Sequence, residues 1–101
     1  MELFELIQTL SSAHGPSGDE ADIRDILSKL VSPLADEMTW DTMGNLIVHR
    51  KGPGSKVMFA AHMDSIGFIV THIEKEGFLR MGKLGGTSPK EAVYTLSLIH
   101  I

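Results

Sequence analysis

The sequence predicts an α/β layered fold, and three observations carry that prediction. Two stretches near the start repeat their apolar residues at helical spacing. The period then changes to extended segments punctuated by turns. One apolar run without alternation lies between the two turn-linked pairs. Helix, helix, hairpin and buried strand together open a layered α/β domain without completing it.

The first helix is expected over residues 1–12, where Leu3, Phe4, Leu6, Ile7 and Leu10 form an apolar stripe with Glu2, Glu5 and Gln8 outside it. His14-Gly15-Pro16-Ser17-Gly18 breaks it. Ser17 followed by Glu20 reads as a capping box for a second helix, with Asp19 and Glu20 at its positive end. That helix buries Ile23, Ile26, Leu27, Leu30 and Val31, at i, i+3, i+4, i+7 and i+8, and Pro33 stops it. Residues 37–42 and 46–50 form a hairpin around Met43-Gly44-Asn45, in which Trp40 is a packing residue. Gly52-Pro53-Gly54-Ser55 is a further turn. The run 56–61 that follows suits a strand covered on both faces at the centre of a sheet. Residues 66–74 and 78–83 form a second hairpin around Lys75-Glu76-Gly77. Residues 96–101 end without cap, turn or charge and resemble the translation of a transposon-type sequencing adaptor. They are read as a scar and set apart from the fold, the alternative being a genuine final strand.

Composition narrows the function. The 101 residues allow one modest core, and 43% hydrophobic with 22% charged residues is ordinary globular usage. A net charge of −4 offers no basic stripe for nucleic acid. No apolar run approaches the ~20 residues of a membrane span, and the start lacks a basic leader, so a cytoplasmic chain is expected. Without cysteine there is no disulfide, no thiol nucleophile and no Cys-based zinc site. Ser11, Ser17 and Ser65 lack the GxSxG context of a serine hydrolase, and Gly82-Lys83-Leu84-Gly85-Gly86 matches no phosphate-binding pattern.

Chemistry concentrates in Ala61-His62-Met63-Asp64, just after the apolar run. In an extended segment, residues i and i+2 project to one side, so His62 and Asp64 can share a cavity. A metal-binding imidazole keeps one nitrogen for the ion and gives its other N–H to a carboxylate or carbonyl, which Asp64 can supply. Spacing alone leaves two readings open, a structural His–Asp pair and a metal ligand with its partner. Among the other histidines, His14 reads as a loop residue, His49 as the solvated basic end of a strand, and His72 as a packed or edge histidine on the face of Phe68 and Val70. His100 belongs to the tail. Met38, Met43, Met58, Met63 and Met81 form no stripe and read as core filling.

The longer context favours the ligand. Phe59-Ala60-Ala61-His62-Met63-Asp64-Ser65-Ile66-Gly67-Phe68 resembles the AHMDxxGF block of the M42 family of metallo-aminopeptidases, the glutamyl-aminopeptidase and tetrahedral-aminopeptidase group. Ser17-Gly18-Asp19-Glu20 resembles that family's SGxE step, and Asp41-Thr42-Met43-Gly44-Asn45 its DxxGN hairpin. Gly77-Phe78-Leu79-Arg80 and Leu84-Gly85-Gly86 are similar to the elements that follow. The agreement runs in order from Met1 to about Gly86. Ser65 departs from the acidic residue often found after HMD, which bears on local polarity and not on the ligand.

The resemblance implies an N-terminal piece of a peptidase that removes N-terminal residues from peptides with two divalent ions, zinc or cobalt. His62 matches the first metal ligand and Asp64 the carboxylate grouped with the catalytic residues, while the remaining ligands and the general base lie downstream. Residues 1–65 would begin the catalytic domain and 66–95 an inserted β-rich lid and dimerisation domain. The full protein would be a homo-oligomer, a dodecamer built from dimers. Two rivals stand beside this: another co-catalytic zinc hydrolase of M20 type, which also uses an HxD pair, and a non-catalytic folding or interaction module.

Overall fold

A computed structural model of the chain describes residues 1–99. Helix α1 spans Leu3–Ser12 and α2 spans Ala21–Val31, the latter followed by a 3₁₀ turn at Ser32–Leu34 that holds Pro33. Strands β1 (Glu37–Trp40) and β2 (Leu46–His49) pair antiparallel, as do β3 (Gly67–Ile73) and β4 (Leu79–Leu84), giving two separate two-stranded sheets. A second 3₁₀ turn spans Pro89–Ala92. Both helices and both hairpins therefore stand where period and turn residues place them, within one to three residues at each end. No helix among the described residues is long and apolar enough to cross a membrane.

The first hairpin is built around one carboxylate. Asp41 Oδ1 accepts the backbone N–H groups of Met43 (2.9 Å) and Asn45 (2.8 Å), and Oδ2 accepts the Asn45 side-chain amide at 2.6 Å. Gly44 takes φ +84°, a conformation open to glycine and costly for a branched side chain. These donors, the Asn45 amide first, hold the Asp41 carboxyl below its ordinary range. The Arg24 guanidinium lies 5.1 Å from the centre of the Trp40 ring, tying the hairpin to α2 by a cation–π contact. At its open end Glu37 faces His49 and takes the Lys51 ammonium at 2.7 Å, so His49 is the solvated end that its neighbours imply.

Four expectations need correction. The run 56–61 is not a central strand: it enters no ladder, and Val57, Met58 and Phe59 are 76%, 88% and 94% exposed. A covered strand exists through neighbours on both edges, and no described segment pairs with this one. Ser17 does not cap α2. The cap position falls on Glu20, which makes no side-chain capping bond there, while its Oε1 accepts the Gly18 N–H at 2.6 Å. His72 does not share a face with Val70. The ladder pairs Val70 with Met81 but His72 with Arg80, the residue next to it, so a bulge at Thr71 reverses the alternation. Finally, Met38, Met43, Met58 and Met81 are exposed and fill no core.

Burial is concentrated in one place. Among the described residues Ile23 is the buried large apolar side chain, with Ile26, Leu27, Leu30 and Val31 half-covered along the same stripe of α2. Leu3, Phe4 and Ile7 on α1 remain open. The radius of gyration is 17.4 Å, against about 13 Å for a compact chain of this length. Of the tail, residues 96–99 carry no regular element, and His100 and Ile101 lie outside the described residues.

Candidate metal centre

The site is assembled by the loop between the helices. Its backbone runs parallel to the segment entering β3: Pro16 and Ser65 form a parallel bridge, and the Ser65 N–H donates to the Gly15 carbonyl at 2.7 Å. From the other side the Ile23 N–H donates to the His14 carbonyl at 3.2 Å. Two missing side chains allow this approach. A Cβ on Gly15 would stand 2.4 Å from Ile23 Cγ2, and one on Gly67 would stand 3.0 Å from Pro16 Cβ. The small core around Ile23 thus fixes the backbone on which Asp64 is mounted.

His62 and Asp64 do meet. Nδ1 of His62 lies 3.0 Å from the Asp64 carbonyl oxygen and 3.2 Å from Asp64 Oδ1. A carbonyl oxygen can only accept, so Nδ1 carries the proton and Nε2 presents its lone pair. Nε2 has no hydrogen-bond partner among the described residues, and the His62 side chain is 84% exposed. The second oxygen of Asp64, Oδ2, accepts the Ser17 hydroxyl at 2.5 Å. Donation from Ser17, then from His62, holds the Asp64 carboxyl below its ordinary range against the opposing effect of burial, so it is ionised at neutral pH.

This geometry fits one ligand and the carboxylate that orients it. It does not by itself close a metal centre. No group of three or more His, Asp or Glu side chains able to hold an ion occurs among the described residues, whereas a catalytic zinc takes about three protein ligands. His14 pairs with Asp19 at 2.9 Å, and His72 stands near Glu74 at 3.8 Å, each apart from His62. Beside His62 a broad hollow of 1520 Å³ opens between α2, the first hairpin and the run 56–61, lined by Leu27, Val31, Val48 and Phe59. It exceeds the about 300–1,000 Å³ of an ordinary ligand pocket.

Sequence reasoning found the His62–Asp64 pair and missed what holds it. Ser17 is 47 residues from Asp64, and no local spacing announces a contact at that distance. The only signal was the place of Ser17 in the SGxE resemblance.

Comparison with known proteins supplies the context. The sequence profile described as M42 glutamyl aminopeptidase matches residues 44–96, a span that includes His62 and Asp64. A lysyl aminopeptidase of Pyrococcus furiosus is 43% identical over 91 residues, which is 89% of this chain and 26% of that protein. An aminopeptidase from the archaeon Desulfurococcus kamchatkensis superposes with a TM-score of 0.77 at 43% identity, covering 83% of this chain and 24% of that one. PhTET1-12s, described as a dodecamer in the asymmetric unit, gives 0.75 at 36% identity and covers 87% and 27%. The chain spans about a quarter of the length of the curated relatives it matches, 22% to 28% of each.

Proposed function

The chain belongs to the M42 glutamyl aminopeptidase family, and from that membership we propose that His62 and Asp64 form one edge of a metal-dependent aminopeptidase centre that cleaves N-terminal residues from peptides. The observation that carries this reading is the division of the imidazole: Nδ1–H is shared by the carbonyl and carboxylate of Asp64, and Nε2, on a side chain 84% exposed, has no partner among the described residues. His62 presents that lone pair as a ligand, and Asp64 keeps the proton on Nδ1 and strengthens the ring as a donor. Two divalent ions, zinc or cobalt, when bound, would polarise the scissile carbonyl and activate water. The other ligands and the general base come from outside residues 1–99. Residues 1–65 are the first part of the catalytic domain and 66–95 the start of a β-rich lid and dimerisation domain. The assembly is a homo-oligomer, a reading supported by the dodecameric PhTET1-12s. The profile match favours an aminopeptidase over a hydrolase of M20 type.

The test is hydrolysis of aminoacyl amides by the protein carrying the complete ligand set. Exhaustive chelation should abolish turnover, added zinc or cobalt should restore it, and His62→Ala should lower it by at least about 100-fold, since losing a ligand costs no less than losing the partner that orients it. A rate that survives either treatment overturns the reading. The lack of a third donor group among the described residues also favours a non-catalytic role for the 101-residue chain alone. That chain should show no turnover and only weak zinc binding; stoichiometric binding at micromolar zinc would contradict this.

A further inference from the structure

We propose that Ser17 is a positioning residue of the His62–Asp64 pair, its hydroxyl holding the Asp64 carboxylate in the orientation that keeps the proton of His62 on Nδ1 and leaves Nε2 bare. The inference deepens the metal-centre reading and rests on it for its functional meaning, though not for its test.

The argument is geometric. A carboxylate on a short side chain can turn about its last bond, and only one of its oxygens is needed by His62. Asp64 uses both: Oδ1 faces Nδ1 at 3.2 Å and Oδ2 accepts the Ser17 hydroxyl at 2.5 Å. Two fixed donors on opposite oxygens define the plane of the group, which one donor does not. Ser17 is itself held. The Pro16–Ser65 bridge and the bond from Ser65 N–H to Gly15 O fasten the residues beside each partner, Pro16 next to Ser17 and Ser65 next to Asp64. The side chain also has no competing task, because α2 begins at Ala21 with Glu20 at its cap position. Ser17 thus links the turn between the helices to the His62 ring through Asp64. The backbone carbonyl of Asp64, 3.0 Å from Nδ1, supplies the remainder of the preference, so losing Ser17 should weaken the tautomer and not reverse it.

Imidazole ¹⁵N shifts of His62, recorded in the metal-free 101-residue chain at about pH 8, where histidine is neutral, read the tautomer directly. The wild type should carry its proton on Nδ1. Ser17→Val and Ser17→Thr have the same shape and differ in the hydroxyl alone. Ser17→Val should lower the ratio of Nδ1–H to Nε2–H by about threefold or more, the worth of one hydrogen bond, with the Ser65 amide shift unchanged. Ser17→Thr should keep both. A ratio that survives Ser17→Val, or one that Ser17→Thr also loses, overturns the proposal. The measurement uses neither metal nor peptide, so its outcome is separate from the chelation test above.

Discussion

Two neighbouring stretches of this chain meet opposite fates. Residues 62–67 are fastened to the rest of the protein: Ser65 to Gly15, Asp64 to Ser17, and Gly67 against Pro16. Residues 56–61, immediately before them and more apolar, make no backbone hydrogen bond to any described residue, with Phe59 94% exposed. The difference is not one of hydrophobicity. The fastened stretch finds its partners in the loop between α1 and α2, where a glycine, a proline and a serine present backbone and hydroxyl at the right height. The bare stretch needs strands on both edges, and the described residues offer none. Apolar character creates the demand for burial, but only complementary backbone groups satisfy it.

The contrast can be broken from the side of the core. Ile23 is the side chain on which the loop rests, 5% exposed and close enough to Gly15 that a Cβ there would overlap it. Ile23→Ala should cost about 2–4 kcal/mol, the usual loss for a buried isoleucine. Since the loop then has no floor, amide exchange at Ser65 should accelerate sharply while the second hairpin, whose β3–β4 ladder does not include α2, keeps its protection. Equal protection at Ser65 before and after the substitution would show that the bridge stands without the core.

Acid should act on the fastened regions alone. Asp64 and Asp41 are both held below the ordinary carboxylate range, by Ser17 and Asn45 respectively as the leading donors, and Glu37 likewise by Lys51. A carboxyl whose folded value is depressed binds its proton more readily when unfolded. It therefore contributes stability that is complete above its unfolded value, about 3.9 for aspartate and 4.3 for glutamate, and that is lost as pH falls through the folded value. Protection at Ser65, Met43 and Asn45 should accordingly decline below about pH 4. Amides of 56–61, which no such carboxylate holds, should show only the intrinsic pH dependence of exchange. A decline that begins near pH 6 would instead point to histidine.

Legibility in the sequence follows the same line. The helical stripe of Ile23, Ile26, Leu27, Leu30 and Val31 and the turn Asp41–Asn45 were readable because their causes lie within a few residues. His62 and Asp64 were readable for the same reason, being two residues apart. What escaped was set at long range or by parity. Ser17 carries the spacing of a capping box yet spends its hydroxyl on Asp64, 47 residues away. One extra residue at Thr71 turned His72 to the face opposite Val70. The run 56–61 read as a buried strand because composition reports what a segment would do with neighbours, and does not report whether they are there.

The smallest effect belongs to the bare stretch and sharpens the comparison most. Phe59 touches no core, so Phe59→Lys should change the stability of the junction by no more than about 0.5 kcal/mol, the range of surface substitutions. Its consequence should lie elsewhere. An unpaired apolar segment beside a hollow lined by Leu27, Val31 and Val48 is a surface on which other chains can collect. A charge at the most exposed of its large apolar side chains should reduce binding of a hydrophobic dye and raise the concentration at which the chain stays monomeric in sedimentation, with exchange at Ser65 untouched. If Phe59→Lys instead loosened Ser65, the two stretches would be one cooperative unit, and the apolar run would already be held by contacts that its exposure denies.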